Sequence, residues 1–403
     1  MSATPAVGDG QGHGGFVPPP YPYDRLAPVI AAAQAHDGGA VDCSIGTPCD
    51  APPQIVTDAL GASGTERTYP QSIGSAAYRA AASGWLHRRL GVEVPSDQLA
   101  ACIGTKEFVA GLPHLLKLRR PERDTVLYPA VSYPSYAMGA MLAGCRGVPV
   151  AVDENWRIDL SQVDPADAER AMCLWVNTPG NPAGGIDDLA AAAAWGRDRD
   201  IPVFSDECYV EFTWAGPRQT ILASGLDGVV AVHSLSKRSN LAGARAGFYA
   251  GDAALVDYLS EIRKHQGMMV PGPVQAAAIA AWNDDSHVDA QAEVYRLRLR
   301  RLIAQLARLG IAADMPDGAF YLWVPAPGGD AWALAQRLAE QVGLVTSPGE
   351  FYGAQAAGYI RVAAVQPDAA LDLIDARLDA LGSDLTGGVG DGVDGAVESG
   401  VAP

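Results

Sequence analysis

Several short stretches of this chain set chemically able side chains where a turn can expose them. HSLSKRSNLAGARAG, from His233 to Gly247, leaves an apolar run and enters a loop of small residues and bases. It carries Ser234, Ser236, Lys237 and, eight positions after the lysine, Arg245. An amine that can be shifted to a reactive pKa, with hydroxyl and guanidinium donors beside it, suits a dianion bound next to a nucleophile. Taken alone, a lysine is more often a solvated surface charge. SDECY, from Ser205 to Tyr209, closes the apolar run IPVFSD, so Asp206 and Tyr209 fall at a strand end; the plain reading is an acidic helix cap and a core tyrosine. NTPGNPAG, from Asn177 to Gly184, is a turn of common composition that contains Asn181. IGTKE, from Ile103 to Glu107, is a glycine turn opening a helix. The free N–H groups there, at Gly104, Thr105 and Lys106, bind an anion or simply start a helix. YIRVAA places Arg361 in a late strand, either as edge decoration or as a planar fork for a carboxylate.

The elements that must hold these residues are legible as short apolar runs alternating with longer helix-compatible stretches. The runs are TVLYP from Thr125, VPVAV from Val148, MCLWVN from Met172, IPVFSD from Ile201, VVAVHSL from Val229 and AGFYAG from Ala246. This pattern predicts a mainly parallel sheet covered by helices, which places ligands at its strand C-termini. DDLAAAAAWGRDR from Asp187 and DAALVDYLSEIRK from Asp252 begin with acids and end with bases, as the helix dipole favours. After about residue 285 the texture changes to a long Arg-rich helix through Arg301, then AFYLWV, another helix and YIRVAA, a smaller α+β lobe.

Composition removes other classes. The chain has 403 residues, 48% apolar and 19% charged, enough for a full core, and its formal net charge of −17 would repel a phosphate backbone. Nucleic acid is therefore not an expected partner. The N-terminus lacks a signal-peptide pattern and no run of about 18 apolar residues occurs, so no membrane association is expected and a cytoplasmic protein is. The cysteines at 43, 49, 102, 145, 173 and 208 form no C-x-x-C pair; reduced thiols are expected, and no metal site. The Gly- and Pro-rich residues 1–20 read as a disordered arm, and the acidic Gly-rich residues 383–403, with Asp384, Asp391, Asp394 and Glu398, as a disordered tail.

Ser-x-Ser-Lys followed by Arg245 resembles the cofactor-lysine motif of class I and II aminotransferases, which are fold-type I enzymes of pyridoxal 5'-phosphate (PLP). The resemblance implies that Lys237 holds PLP covalently and that Ser234, Ser236 and Arg245 contact its phosphate. Asp206 then corresponds to the aspartate that pairs with the ring nitrogen, which keeps the ring an electron sink. Tyr209 corresponds to the tyrosine that bonds the phenolic oxygen. Asn181 matches the asparagine of the N-P-T-G turn, although Ala183 stands in place of the usual threonine. It binds the same oxygen and lies near the substrate carboxylate. Gly104, Thr105 and Lys106 match the phosphate cup. Tyr133 in SYPSY matches the aromatic stacked on the ring, and Tyr69 in TYPQSIG the tyrosine that reaches the neighbouring subunit's phosphate. Gly46 in SIGTP and Arg361 match the substrate-carboxylate contacts.

The same resemblance implies an α/β fold with a large PLP-binding domain at residues 46–285 around a mainly parallel seven-stranded sheet. It also implies a small α+β domain from residues 21–45 and 286–382, and a homodimer with shared active sites. The implied reaction is ping-pong: an amino donor, glutamate, displaces Lys237, and the freed lysine moves a proton before an oxo acid receives the amino group. A C–S lyase on the same fold is a rival. A transcription regulator with an aminotransferase-like domain is another, for which the residues before Tyr21 offer no DNA-binding module. SLSKRSNLAGARAGF, IGTKE, RKHQGMMVPGPVQAA and SPGEFYG narrow the resemblance to actinobacterial N-succinyldiaminopimelate aminotransferases of lysine biosynthesis, with Ala244 where tyrosine is expected. The acceptor would be N-succinyl-2-amino-6-oxopimelate, ahead of the oxo acids of aspartate or aromatic aminotransferases. Arg238, Arg263 and Lys264 are candidates for its distal carboxylates.

Overall fold

The computed structural model describes residues 15–387. Its strands are β1 (Val41–Asp42), β2 (Leu99–Cys102), β3 (Thr125–Pro129), β4 (Arg146–Val150), β5 (Ala171–Asn177) and β6 (Val203–Asp206). They continue with β7 (Val229–Ser234), β8 (Gly247–Gly251), β9 (Tyr321–Pro325), β10 (Leu344–Val345), β11 (Ser347–Pro348) and β12 (Tyr359–Ala363). Strands β2 to β8 form one seven-stranded sheet in the order β2-β8-β7-β6-β5-β3-β4. From β4 across to β7 every pairing is parallel, and β8 runs antiparallel to both of its neighbours. This is the α/β fold expected from the alternating texture.

Every residue of β5 and β7 is buried, because helices cover both faces of the sheet; such strands carry continuous apolar runs instead of an in–out alternation. The covering helix Leu189–Arg197 is capped by the Asp188 carboxylate, which accepts from the Ala191 N–H. In Ala253–His265 the Asp252 carboxylate accepts from Leu255 N–H, and Arg263, Lys264 and His265 occupy the last turn. Strand β2 was not marked out in the sequence. It is four small or apolar residues, LAAC, with neither alternation nor β-branched side chains to identify it.

Parallel order delivers the loops after β5, β6 and β7 to one end of the sheet, and the terminal residues Asn177 and Asp206 are register partners. That end carries the site.

A second, antiparallel sheet has the order β11-β12-β9. Arg361 lies on its middle strand, paired with Ser347 on one side and Trp323 on the other, so it is not edge decoration. Residues from the N-terminal part join these elements. β1 pairs in parallel with β10, and Leu26, Val29 and Ala33 pack with Ala339, Val345, Phe351 and Tyr352. The long helix Ser286–Arg308 carries Arg298, whose Nη1 and Nη2 grip both Asp50 oxygens at 2.6 and 2.8 Å while Nε reaches Asp368 at 3.0 Å. One buried fork thus fastens the loop after β1 to the last helix.

That helix runs Asp368–Gly387, past the boundary at residue 382 expected for the acidic tail. The remainder of the tail, and residues 1–14 of the expected arm, lie outside the described residues. No helix among the described residues is long and apolar enough to cross a membrane.

Candidate active site

A cavity of about 240 Å³ opens at the C-terminal ends of β5, β6 and β7. Lys237 enters it from the single helical turn Leu235–Arg238, which starts directly after β7 and is capped by Ser234 Oγ accepting from Ser236 N–H. Its ammonium donates to the Gly46 carbonyl and lies 6.0 Å from the centre of the Phe320 ring. Burial lowers the Lys237 pKa to about 8, and the Arg361 and Arg245 charges act in the same direction. A substantial fraction of this amine is therefore neutral, hence nucleophilic and able to take a proton, a little above neutral pH.

Asp206 ends β6 and is buried. Burial pushes its carboxyl up, against a bond from the Cys208 N–H at 3.3 Å and one from the Tyr136 hydroxyl at 3.0 Å. Among the described residues no cation forms an ion pair with it. A buried carboxylate in that condition lacks the opposite charge that would offset its desolvation. Beside it, the Tyr209 and Tyr321 hydroxyls lie 2.8 Å apart; burial holds Tyr209 far above its usual range and pushes Tyr321 up to about 12, so both are O–H donors.

Another part of the lining is a donor cluster. Gly104, at φ 72°, begins the helix Thr105–Arg119 without a side-chain cap, which leaves the first-turn N–H groups free. Ser234 and Ser236 hydroxyls stand 2.9 Å apart, and Arg245 in a left-handed conformation bonds the Ala242 carbonyl at 2.8 Å. A Cβ on Gly104 would come within 2.4 Å of Arg245 Nη2, so the glycine leaves room for the guanidinium at the helix start. The Lys106 ammonium points elsewhere, 5.7 Å from the Tyr133 ring centre and 6.0 Å from that of Tyr21.

Arg361 closes the cavity from the three-stranded sheet. Its Nη1 donates to Asn181 Oδ1 at 2.7 Å and its Nη2 to the Ser44 carbonyl at 2.6 Å, with the guanidinium over the rings of Tyr321 and Tyr352 at 4.2 and 4.8 Å. Its buried Nε has no hydrogen-bond partner among the described residues. Gly46 has no room for a side chain, because a Cβ there would lie 2.0 Å from the Tyr321 hydroxyl.

Of the residues singled out in the sequence, Gly46, Thr105, Lys106, Tyr133, Asn181, Asp206, Tyr209, Ser234, Ser236, Lys237, Arg245 and Arg361 all line this cavity. Gly104 abuts it through Arg245. Tyr69 does not: its side chain is 96% exposed and stands apart from the chain's own cavity. The three bases named for distal carboxylates are a correction. Arg263 is paired with Glu107, Arg238 with Glu211 and Asp285, and Lys264 with Glu261. None lines the cavity. Sequence reading missed Asn177, Tyr136, Tyr321, Tyr21 and Tyr23. Asn177 was recoverable as the strand-end neighbour of Asp206, but the tyrosines carry no local sign beyond being aromatic.

Comparison with known proteins agrees with this geometry. The family described as aminotransferase class I and II matches residues 39–376. The chain is 39% identical over 368 residues to 4-dedimethylamino-4-oxo-anhydrotetracycline transaminase OxyQ of Streptomyces rimosus, spanning 89% of this chain and 99% of that one. It is 33% identical to the LL-diaminopimelate aminotransferase of Desulforudis audaxviator, over 87% of this chain and 92% of the relative. Among solved structures, a probable N-succinyldiaminopimelate aminotransferase of Thermus thermophilus superposes with a TM-score of 0.79 at 28% identity, covering 89% of this chain and 99% of that one.

The residues fit PLP. The donor wall of helix N–H groups, two hydroxyls and Arg245 suits a phosphate dianion. The uncompensated Asp206 carboxylate suits a protonated ring nitrogen, and the buried amine of Lys237 suits an aldehyde carbon. Gly104→Ala is expected to weaken PLP binding at least about tenfold, roughly 1.4 kcal/mol, because its Cβ displaces Arg245. Equilibrium dialysis of PLP against the folded variant measures this, and unchanged affinity would remove Arg245 from the phosphate wall.

Proposed function

We propose that this chain, which belongs to the class I and II aminotransferase family and depends on PLP as that family does, moves an amino group from L-glutamate to an oxo acid. The observation that carries the reading is the Lys237 amine, buried with a pKa lowered to about 8, in one cavity with an unpaired buried carboxylate and a buried arginine fork. Bound there, the cofactor supplies an electron sink for the pair left at the substrate α-carbon.

The chain's own residues do the rest. Asp206 holds the ring-nitrogen proton, while Tyr136 and the Cys208 N–H fix the carboxylate's orientation. Tyr209, oriented by Tyr321, and Asn181 would donate to the phenolic oxygen, and Tyr133 would cover the ring. Ser234, Ser236, Arg245 and the N–H groups of Gly104, Thr105 and Lys106 hold the phosphate. Arg361, with Asn181 and the Gly46 backbone, takes the α-carboxylate. Lys237 would hold the cofactor through its amine and, when that amine is free, would accept and return the proton of the substrate α-carbon.

For the acceptor we take N-succinyl-2-amino-6-oxopimelate. The resemblance of SLSKRSNLAGARAGF and SPGEFYG to that branch supports it, as do relatives named for LL-diaminopimelate and N-succinyldiaminopimelate. Lys106, a cavity-wall ammonium without a carboxylate partner among the described residues, would meet a distal carboxylate. A second reading, a polycyclic ketone like the one in the name of OxyQ, is favoured by the aromatic mouth of Tyr21, Tyr23 and Tyr133. The exposed Tyr69 fits a homodimer in which it serves the partner's phosphate.

Lys237→Ala is expected to fold but to lose the yellow colour and the borohydride-fixed adduct. Asp206→Ala should still bind PLP and lose at least about a hundredfold in turnover, within the usual range for a group that acts in the transition state. Near-normal turnover in either variant would overturn the assignment.

Glutamate-dependent amination of N-succinyl-2-amino-6-oxopimelate should exceed that of oxaloacetate and phenylpyruvate by at least about tenfold in kcat/KM, roughly 1.4 kcal/mol of discrimination. Equal rates would defeat the acceptor and leave the amino-transfer chemistry standing.

Shared sites are checked by mixing Tyr69→Ala and Lys237→Ala proteins after dissociation. Activity above the sum of the separate preparations is expected, and an undiluted-level specific activity from a monomer would refute the dimer.

A further inference from the structure

Arg238, next to Lys237, turns its back on the cavity and is 2% exposed. Its guanidinium donates from Nε to Glu211 at 3.2 Å, from Nη1 to the Ala281 carbonyl at 2.6 Å and Ser239 Oγ at 3.3 Å, and from Nη2 to the Asp284 carbonyl at 3.2 Å and Asp285 at 2.9 Å. Its faces lie 5.2 Å from Trp282 and 5.7 Å from Trp85. Glu211 sits in the turn Val210–Phe212 that follows Tyr209, and it also accepts from Trp85 Nε1 at 2.7 Å and Arg89 Nη2 at 2.9 Å. Burial works against that carboxylate, yet Arg238 and Arg89 hold it below its usual range. One buried ion pair therefore ties the turn that bears Lys237 to the turn that bears Tyr209 and to the end of the helix Gly272–Asn283.

The turn Leu235–Arg238 is four residues long, too short to hold a helical conformation by itself. Successive side chains on a helix diverge by roughly 100°, so gripping one of them sets the direction of the next. The lysine stem is flexible, and within the cavity its ammonium has only the Gly46 carbonyl as hydrogen-bond acceptor among the described residues. We propose that Arg238 is the positioning residue for Lys237: its five-bond grip on Glu211, Asp285 and their neighbours fixes the rotation of the turn and so aims the amine into the cavity. This rests on the reading of Lys237 as the proton-carrying amine. Around that amine stand the Arg361 and Arg245 guanidinium groups, the Cys208 thiol, the Phe320 ring and the Gly46 carbonyl.

A purely structural ion pair makes a different forecast, because replacing both buried partners by apolar residues commonly restores stability. The test uses full-length Arg238→Lys, Arg238→Met and the double variant Arg238→Met/Glu211→Leu. In the cofactor-free proteins, the pH profile of Lys237 modification by an amine reagent is read by peptide mass. In the wild type it rises with pH through about 8, the lowered lysine value. Arg238→Met should move the midpoint upward by about one pH unit, toward an ordinary lysine, since the amine swings toward water.

In the PLP-loaded proteins kcat should fall at least about thirtyfold while KM changes less than about threefold, because carboxylate binding is untouched and only proton transfer is misaligned. Arg238→Lys, which keeps the charge and part of the grip, should fall between the two. The double variant should keep both defects. An unmoved Lys237 profile, or kcat recovered together with Tm, would overturn the proposal. Failure of the underlying reading is separately visible as turnover that survives in Lys237→Ala.

Discussion

A buried carboxylate without an ion-pair partner is expensive to fold, and among the described residues no cation forms an ion pair with the buried Asp206. Its two oxygens receive an amide N–H and a tyrosine hydroxyl, which orient the charge without neutralising it. Much of the surrounding architecture follows from that requirement. Parallel strands bring Asn177, Asp206 and Ser234 to the same end, and the donors for an anion line the same cavity as the carboxylate.

Charge is segregated within the site. The donor cluster with Arg245 and the Arg361 fork carry positive charge or N–H dipoles, and Lys237 is pushed toward its neutral form by burial and by repulsion from both arginines. The arginines that might have crowded this field are paired elsewhere: Arg263 with Glu107 and Arg238 with Glu211. Arg245 and Arg361 have no carboxylate partner among the described residues, which leaves their charge for ligands.

Arg361 shows how the two sheets depend on each other. It is carried by the middle strand of the antiparallel sheet, yet its hydrogen bonds go to Asn181, from the loop after β5, and to the Ser44 carbonyl, near β1. The guanidinium also lies over two tyrosine rings, those of Tyr321 and Tyr352, so the fork is held by the chain's own contacts. Gly46 is glycine for the same reason, since the Tyr321 hydroxyl that bonds Tyr209 occupies the space of a side chain.

Residues whose placement in the cavity depends on local backbone were legible in the sequence. Lys237, Asp206, Asn181 and the Gly104 turn each sit where an apolar run stops, and a strand end followed by small or turn-forming residues is a local signal. The same texture specified an α/β fold and six of the seven strands of the main sheet. Tertiary structure alone decided the rest. Tyr136 and Tyr321 are aromatic residues in apolar stretches, and only the packing of a helix and a distant strand turns their hydroxyls toward Asp206 and Tyr209. The fate of the arginines was equally hidden, because whether a guanidinium is spent on an internal carboxylate or kept for a ligand depends on partners far along the chain, 156 positions away for Arg263 and Glu107 and 248 for Arg298 and Asp50. Sequence order records which groups are available, and long-range pairing determines which of them remain free.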